Sequence, residues 1–242
     1  MTIKAAIFDV FGTCVDWRRG VAEAVAPAFA TKGIEIDPDA FATAWRAEYQ
    51  PGMEVVRSAG RPYTALDILH RENLERALAK NGLAGAFSEA EKDALNRAWE
   101  KLPAWEDVAQ GLASIREKVL VAPCSNGSIA LMSRLARFAG LEWDAILGAE
   151  IAQDYKPKPA VYLASAAAFG LAPSEVLMVA AHNDDLAAAR ALGFPTAFVP
   201  RPTEHGPDQT TDRSPTEQWD IVATDFAELA ATLPRPVHVP WE

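Results

Sequence analysis

Six polar residues stand where short apolar runs give out: Asp9 in FDVFGT, Ser125 and Asn126 in CSNG, Lys156 in YKPKP, and His182 and Asp185 in AHNDD. An aspartate has a reference pKa near ~3.9 and is ionised at neutral pH, so Asp9 can act as a nucleophile without a base to activate it. What it requires is positioning. Taken singly, each residue has a bland explanation: Asp9 ends a strand, Ser125 caps a helix, Lys156 is a solvated loop cation, His182 is a hydrogen-bonded packing residue. Their recurrence at equivalent places along the chain points to one shared site.

The elements that must carry these residues are readable from periodicity. Ile3 to Phe8, Val119 to Ala122, Val176 to Ala181 and Thr196 to Val199 are continuous apolar runs, the pattern of strands covered on both faces of a parallel sheet. Between them, Ser128 to Phe138 carries Ile129, Leu131, Met132, Leu135 and Phe138 with Gly140 as a stop, and Asp185 to Leu192 ends at Gly193. Strand, helix and strand in alternation predict an α/β fold: an open parallel, Rossmann-like sheet with right-handed crossovers and helices on both sides. Ligands of such sheets bind at the carboxyl ends of the strands, where the six polar residues fall.

Residues 17–105 break the alternation, offering helix after helix and no convincing strand. Asp37 before Pro38 reads as an N-cap with a first-turn proline, Ser88 with Glu91 as a capping box, and Gly82 as a helix stop. The pattern predicts an all-helical cap at 17–105 inserted into a discontinuous α/β core, 1–16 plus 106–233, with a tail at 234–242. Arg201 to Trp219, rich in Pro, Thr, Asp and Gly, reads as a long surface loop.

The chain has 242 residues, with 23 Lys and Arg against 33 Asp and Glu for a net charge of −10. Without a basic run it lacks the clustered cations that nucleic-acid binding needs. No run of about 18 apolar residues suggests a membrane span, and the stretch before Asp9 is too short for a signal peptide. A cytoplasmic protein is expected, with Cys14 and Cys124 as free thiols.

Four motifs in order, FDVFGT at 8–13, SNG at 125–127, YKP at 155–157 and the Asp185 segment, resemble those of the haloacid dehalogenase superfamily, with the helical cap in the right gap. The resemblance spans residues 3–233. Phosphatases of this superfamily carry a proton-donating aspartate two residues after the nucleophile; here it is Phe11. They also carry a magnesium-binding aspartate four residues before the second fourth-motif aspartate; here it is Ala181, whose methyl cannot bind a hard cation. Both replacements, together with Trp45-Arg46 early in the cap, resemble the 2-haloacid dehalogenase branch, which implies no metal and no cofactor.

That resemblance implies that Asp9 displaces halide from a 2-haloalkanoate to form an ester, which water hydrolyses to the 2-hydroxy acid. Lys156 would hold Asp9 charged, Thr13 would hydrogen-bond it, Arg46 would face the halide, Ser125 and Asn126 would bind the substrate carboxylate, and Asp185 would orient the water. Phe11, His182 and Tyr162 would line the pocket, although Tyr162 equally suits the core and Arg46 a helix surface. The partners implied are a small anionic organic substrate, its halide product, and a second copy of the chain in a homodimer. An anionic substrate meets an acidic protein, so local cations must outweigh the long-range field. Four positions depart from the branch's usual residues: Phe11 replaces a tyrosine, Ala181 a serine, His182 an asparagine and Asp184 a tryptophan. Asp184 adds negative charge to the pocket if it faces inward and matters little if it faces out. Two rivals remain at this level, a magnesium-dependent phosphatase and a catalytically silent binding protein on the same scaffold. Cys124 as a nucleophile has little support, because no histidine is near it in sequence.

Overall fold

A computed structural model describes residues 2–58 and 60–233, and the expected tail at 234–242 lies outside the described residues. The hub of the molecule is β1 (Ala5–Phe8), whose four side chains are wholly buried. Successive residues of a strand point to opposite faces. Ala6 and Phe8 therefore enter the apolar core on one side of the sheet, while Ala5 and Ile7 enter the core on the other.

After β1 the chain leaves the sheet for α1 (Trp17–Thr31), α2 (Pro38–Ala47), α3 (Tyr49–Arg57), α4 (Leu66–Lys80) and α5 (Glu89–Asn96), closed by a 3₁₀ turn at Arg97–Glu100. It returns through α6 (Val108–Arg116) to β2 (Leu120–Ser125), α7 (Ile129–Ala139), β3 (Leu147–Gly148), α8 (Ala149–Ala152) and α9 (Pro159–Ala168). Then follow β4 (Val176–Ala180), α10 (Asn183–Arg190), β5 (Thr196–Phe198), β6 (Ile221–Val222) and α11 (Phe226–Thr232). Every strand pair is parallel, in the order β3-β2-β1-β4-β5-β6. The strand order reverses at β1, and the loops leaving β1, β2 and β4 converge there as the topology rule requires.

The local signals act as their chemistry dictates. Ser88 and Glu91 exchange hydrogen bonds across the first turn of α5, and Asp37 accepts the Asp39 N–H at the start of α2. Ser128 Oγ accepts the Leu131 N–H at 3.0 Å, and Gly140 ends α7 at φ 70°, where a side chain would be strained. Between β1 and β2 the helices gather around buried aromatics. Trp99 stacks on His70 at 4.2 Å between centroids and meets Trp45 edge-on at 5.6 Å. The two chain segments that enter and leave this insert clasp one another: Asp16 N–H donates to the Pro103 carbonyl at 2.9 Å and Trp105 N–H to that of Cys14 at 3.1 Å. The insert is thus fastened directly behind the loop that carries Asp9.

Three features differ from expectation. β2 runs on past Ala122 through Pro123, which pairs in register with Phe8, to Ser125. β3 and β6 are strands of two residues each, too short to print a pattern in the sequence. The segment Arg201–Trp219 has neither helix nor strand but is not merely a surface loop, since Arg201, Glu204 and Gln209 are buried in it. The Ser128 cap is a clean test of the local account. Ser128→Ala should lower stability by about 1 kcal/mol, read as a shifted midpoint in urea denaturation at unchanged slope.

Candidate active site

Asp9 sits one residue beyond β1, its N–H fixed by the Val179 carbonyl of β4 at 2.9 Å. Its carboxylate is held on three sides. Lys156 Nζ lies 2.8 Å from Oδ1, Thr13 Oγ1 donates to Oδ2 at 2.8 Å, and His182 Nδ1 stands 3.2 Å from the same Oδ2. Thr13 is itself oriented, because its oxygen accepts the Ala181 N–H at 2.9 Å and leaves its proton for Asp9. Lys156 Nζ also reaches Asp185 Oδ2 at 2.5 Å, and Tyr162 donates its hydroxyl to Asp185 Oδ1 at 2.5 Å. The Lys156 backbone is clamped from two directions: its N–H by Asn126 Oδ1 at 2.8 Å and its carbonyl by Arg57 Nη1 of α3 at 2.9 Å.

Burial alone would raise the Asp9 carboxyl, but the ammonium of Lys156 and the imidazole of His182 reverse it, holding the group well below the usual carboxylate range. Burial would likewise lower Lys156, yet Asp185 and Asp9 keep it charged well above the usual lysine range. Asp185 moves upward, since its desolvation outweighs the Lys156 ammonium. The two carboxylates thus part company: one stays an anion under all ordinary conditions, the other takes up a proton more readily, as suits nucleophile and base respectively.

Behind His182 lies a partner that sequence reasoning missed. Glu204 Oε2 is 2.8 Å from His182 Nε2, Trp17 Nε1–H donates to Glu204 Oε1 at 2.8 Å, and the Glu204 side chain is 1% exposed. Burial opposes the charge on His182, but Glu204 and Asp9 raise its pKa well above the usual histidine value. Glu204 is correspondingly lowered, its burial overcome by His182. The loop that carries it is pinned by Arg201, which donates to the Thr13 carbonyl at 2.9 Å and forms a two-pronged bridge to Asp107 at 2.7 and 2.9 Å. The one available signal was the Glu204-His205 pair within an otherwise featureless loop.

A cavity of about 760 Å³ opens over this cluster, walled by Asp9, Phe11, Arg46, Asn126, Lys156 and His182. Tyr162 and Asp185 also reach it. Arg46 is not a surface charge: its guanidinium lies 3.8 Å over the Tyr49 ring and its buried Nη1 has no hydrogen-bond partner. Phe11 packs edge-on against Trp99, Tyr49 and His70. Ser125 is not brought to the wall; it is fully buried, and its hydroxyl accepts the Gly127 N–H at 3.1 Å. Asp184 is exposed to solvent yet lines the cavity, where its Oδ1 accepts the Asp185 N–H at 2.8 Å, so this departure does add a solvated negative charge at the cavity wall. Cys124 is buried, its thiol pushed up to about 12, and serves as packing. The residues present do not suit magnesium, since a buried alanine methyl at position 181 offers no oxygen ligand and the Asp9 and Asp185 carboxylates are already bridged by the Lys156 ammonium.

Removing the central cation should expose the cost of the cluster. Lys156→Met leaves Asp9 and Asp185 buried without it, and a loss of about 3 kcal/mol at pH 7.5 is expected. In the variant the carboxyl pKa values rise in the folded state, so the folded protein binds more protons than the unfolded chain and stability grows as pH falls toward 5. Urea titrations at the two pH values read both the size and the sign.

The sequence profile of the haloacid dehalogenase-like hydrolases matches residues 3–193. The chain is 30% identical over 201 residues to the (S)-2-haloacid dehalogenase of Xanthobacter autotrophicus, covering 82% of this chain and 76% of that protein. Among solved structures, a defluorinating L-2-haloacid dehalogenase superposes with a TM-score of 0.93 at 48% identity, over 96% of this chain and 95% of the other. An L-2-haloacid dehalogenase of Xanthobacter autotrophicus with chloropropionic acid covalently bound superposes with a TM-score of 0.80 at 25% identity, over 95% and 98% of the two chains. On these matches over most of its length, the chain belongs to the haloacid dehalogenase-like hydrolases, in their 2-haloacid dehalogenase branch.

Proposed function

We propose that the protein hydrolyses small 2-haloalkanoic acids to 2-hydroxy acids through an ester on Asp9. The observation that carries the reading is the state of that carboxylate: buried beside the cavity, held anionic by Lys156 and His182, and facing a position where Phe11 supplies no proton. Halide leaves without protonation, so a site that offers a permanent anion and has a phenyl ring, Phe11, in place of a proton-donating carboxyl suits carbon–halogen cleavage rather than phosphoryl transfer.

Asp9 attacks the α-carbon from the side opposite the halogen, and the carbon inverts. Arg46, the one cavity arginine with an unpartnered buried nitrogen, receives the departing halide as negative charge grows there. Asn126 has its Oδ1 committed to Lys156, leaving its Nδ2 to donate to the substrate carboxylate. Ser125, withdrawn from the wall, takes no part. Asp185 then orients water toward the ester carbonyl, and its raised pKa suits it to accept a proton. A cytoplasmic homodimer belongs to this reading on the family likeness alone.

His182 and the aromatic wall around Phe11 favour a substrate profile unlike that of chloropropionate enzymes, and the likeness to a defluorinating relative makes fluoroacetate the first compound to compare with chloro- and bromoacetate and both 2-chloropropionate enantiomers. Halide release from this panel should persist in EDTA and vanish, by at least about 10³-fold, in Asp9→Asn. In heavy-oxygen water, a single turnover should place label on the Asp9 peptide rather than in the product. Label appearing first in the hydroxy acid would overturn the covalent route.

A further inference from the structure

The two oxygens of Asp9 are not equivalent. Oδ2 takes two contacts, a hydrogen bond from the Thr13 hydroxyl at 2.8 Å and the ion-pair contact of His182 Nδ1 at 3.2 Å. Oδ1 takes one, from Lys156 Nζ at 2.8 Å. The less engaged oxygen, Oδ1, is the better placed to bond to carbon. Oδ2 then becomes the carbonyl oxygen of the ester.

From this geometry we propose that Thr13 and His182 form an oxyanion hole on Asp9 Oδ2, with His182 the catalytic donor and Glu204 its positioning residue in hydrolysis of the ester. The inference deepens, and rests on, the dehalogenase reading above. Each part of the hole is fixed by something behind it. The Ala181 N–H turns the Thr13 hydroxyl toward Asp9. Glu204, buried and steadied by Trp17, accepts from His182 Nε2, so a proton on Nδ1 completes an imidazolium facing Oδ2. No movement is needed, because the donors already touch the atom on which charge will develop.

The step balances. A water oxygen bonds to Asp9 Cγ while the carbonyl π pair moves onto Oδ2, between Thr13 and His182, and the water proton passes to Asp185. Collapse restores the carbonyl and breaks the Cγ–Oδ1 bond. The hydroxy acid departs with the former Oδ1, taking up the proton from Asp185; Asp9 keeps the solvent oxygen and loses the second water proton to solvent, which restores its carboxylate.

The donor acts on the second half-reaction, so its loss must separate the two. Under rapid quench with a haloacid that the wild type turns over, His182→Ala should release about one equivalent of halide per site quickly, then form hydroxy acid about 10²–10³-fold more slowly than wild type. Mass spectrometry should find the ester accumulated on the Asp9 peptide. His182→Ala leaves Glu204 buried without its cation, and if it fails to fold, Glu204→Gln decides the matter, filling the same volume without the charge. The groups facing His182 are Asp9 at the end of β1 and Glu204 in the loop, with His205 beyond at 3.6 Å from Glu204. Without the Glu204 charge, His182 loses its Nδ1 proton at lower pH, so the ester in Glu204→Gln should persist longer as pH rises from 6 to 9. Hydroxy acid formed at the wild-type rate, or halide and hydroxy acid slowed equally with no ester trapped, overturns the oxyanion hole while leaving the dehalogenase reading standing. A wild type that frees halide from no haloacid overturns that reading, and this inference with it.

Discussion

A single ammonium group sets the terms for the rest of the molecule. Lys156 Nζ stands 2.8 Å from Asp9 and 2.5 Å from Asp185, all three side chains about nine-tenths buried. Even at 4 Å an ion pair is worth about 4 kcal/mol at an intermediate dielectric, and without the ammonium two desolvated carboxylates would be left to repel one another. The cluster therefore exists only if lysine reaches both acids together. That condition explains why the Lys156 backbone is fastened by Asn126 from the end of β2 and by Arg57 from α3 of the inserted helices. Three strand ends and one cap helix are coupled through the placement of one nitrogen.

Around that nitrogen cations offset part of the acidity. Asp9, Asp184, Asp185, Glu204 and Asp212 line one cavity with Lys156, Arg46, His182 and His205, in a chain that carries −10 as a whole. Among the described residues of that wall, Arg46 is the one with a buried donor nitrogen that has no partner, so an incoming carboxylate or departing halide finds its free cation there. Exposed charges farther away than about 8–10 Å are largely screened in physiological salt, so the cations at the wall count for more than the acidic exterior. Asp184 shows the same screening at close range: it lines the cavity one residue from Asp185, but its exposure to solvent weakens its field relative to that of the buried acids.

What could be read from the sequence was whatever lies within one element. The apolar runs, the caps at Asp37 and Ser88, and the polar residues ending β1, β2 and β4 all announce themselves locally, because strand period, capping and loop position are local properties; the cap of α7 is Ser128 rather than Ser125. Two-residue strands carry no period, so β3 and β6 were silent. Ser125 stands at the expected strand end yet is wholly buried, its hydroxyl engaged by the Gly127 N–H of the turn that follows. Glu204 was the most consequential silence. It belongs to the site only because Arg201 bridges to Asp107 and draws the loop back over Thr13, a pairing 94 residues apart in sequence.

The departure at His182 and the buried Glu204 are one feature rather than two. An imidazole there needs an anion behind it, or burial would strip its proton and leave a neutral ring beside the Asp9 carboxylate. An anion there in turn needs room, and the first motif supplies it. Gly12 has φ +93°, and a Cβ on it would stand 2.1 Å from Glu204 Oε1. The glycine that lets the chain turn sharply after Asp9 therefore also leaves the space that the Glu204 carboxylate fills. Its carbonyl, meanwhile, accepts the Trp105 indole N–H at 2.8 Å, binding the turn to the segment that returns from the cap. Nucleophile loop, cap return and distant loop are thus packed against one another at Gly12, so an asparagine-to-histidine change at position 182 is workable only in a chain whose loop at 201–209 folds inward. Specificity within this scaffold is in that sense a property of a loop and a motif together, and neither alone would reveal it.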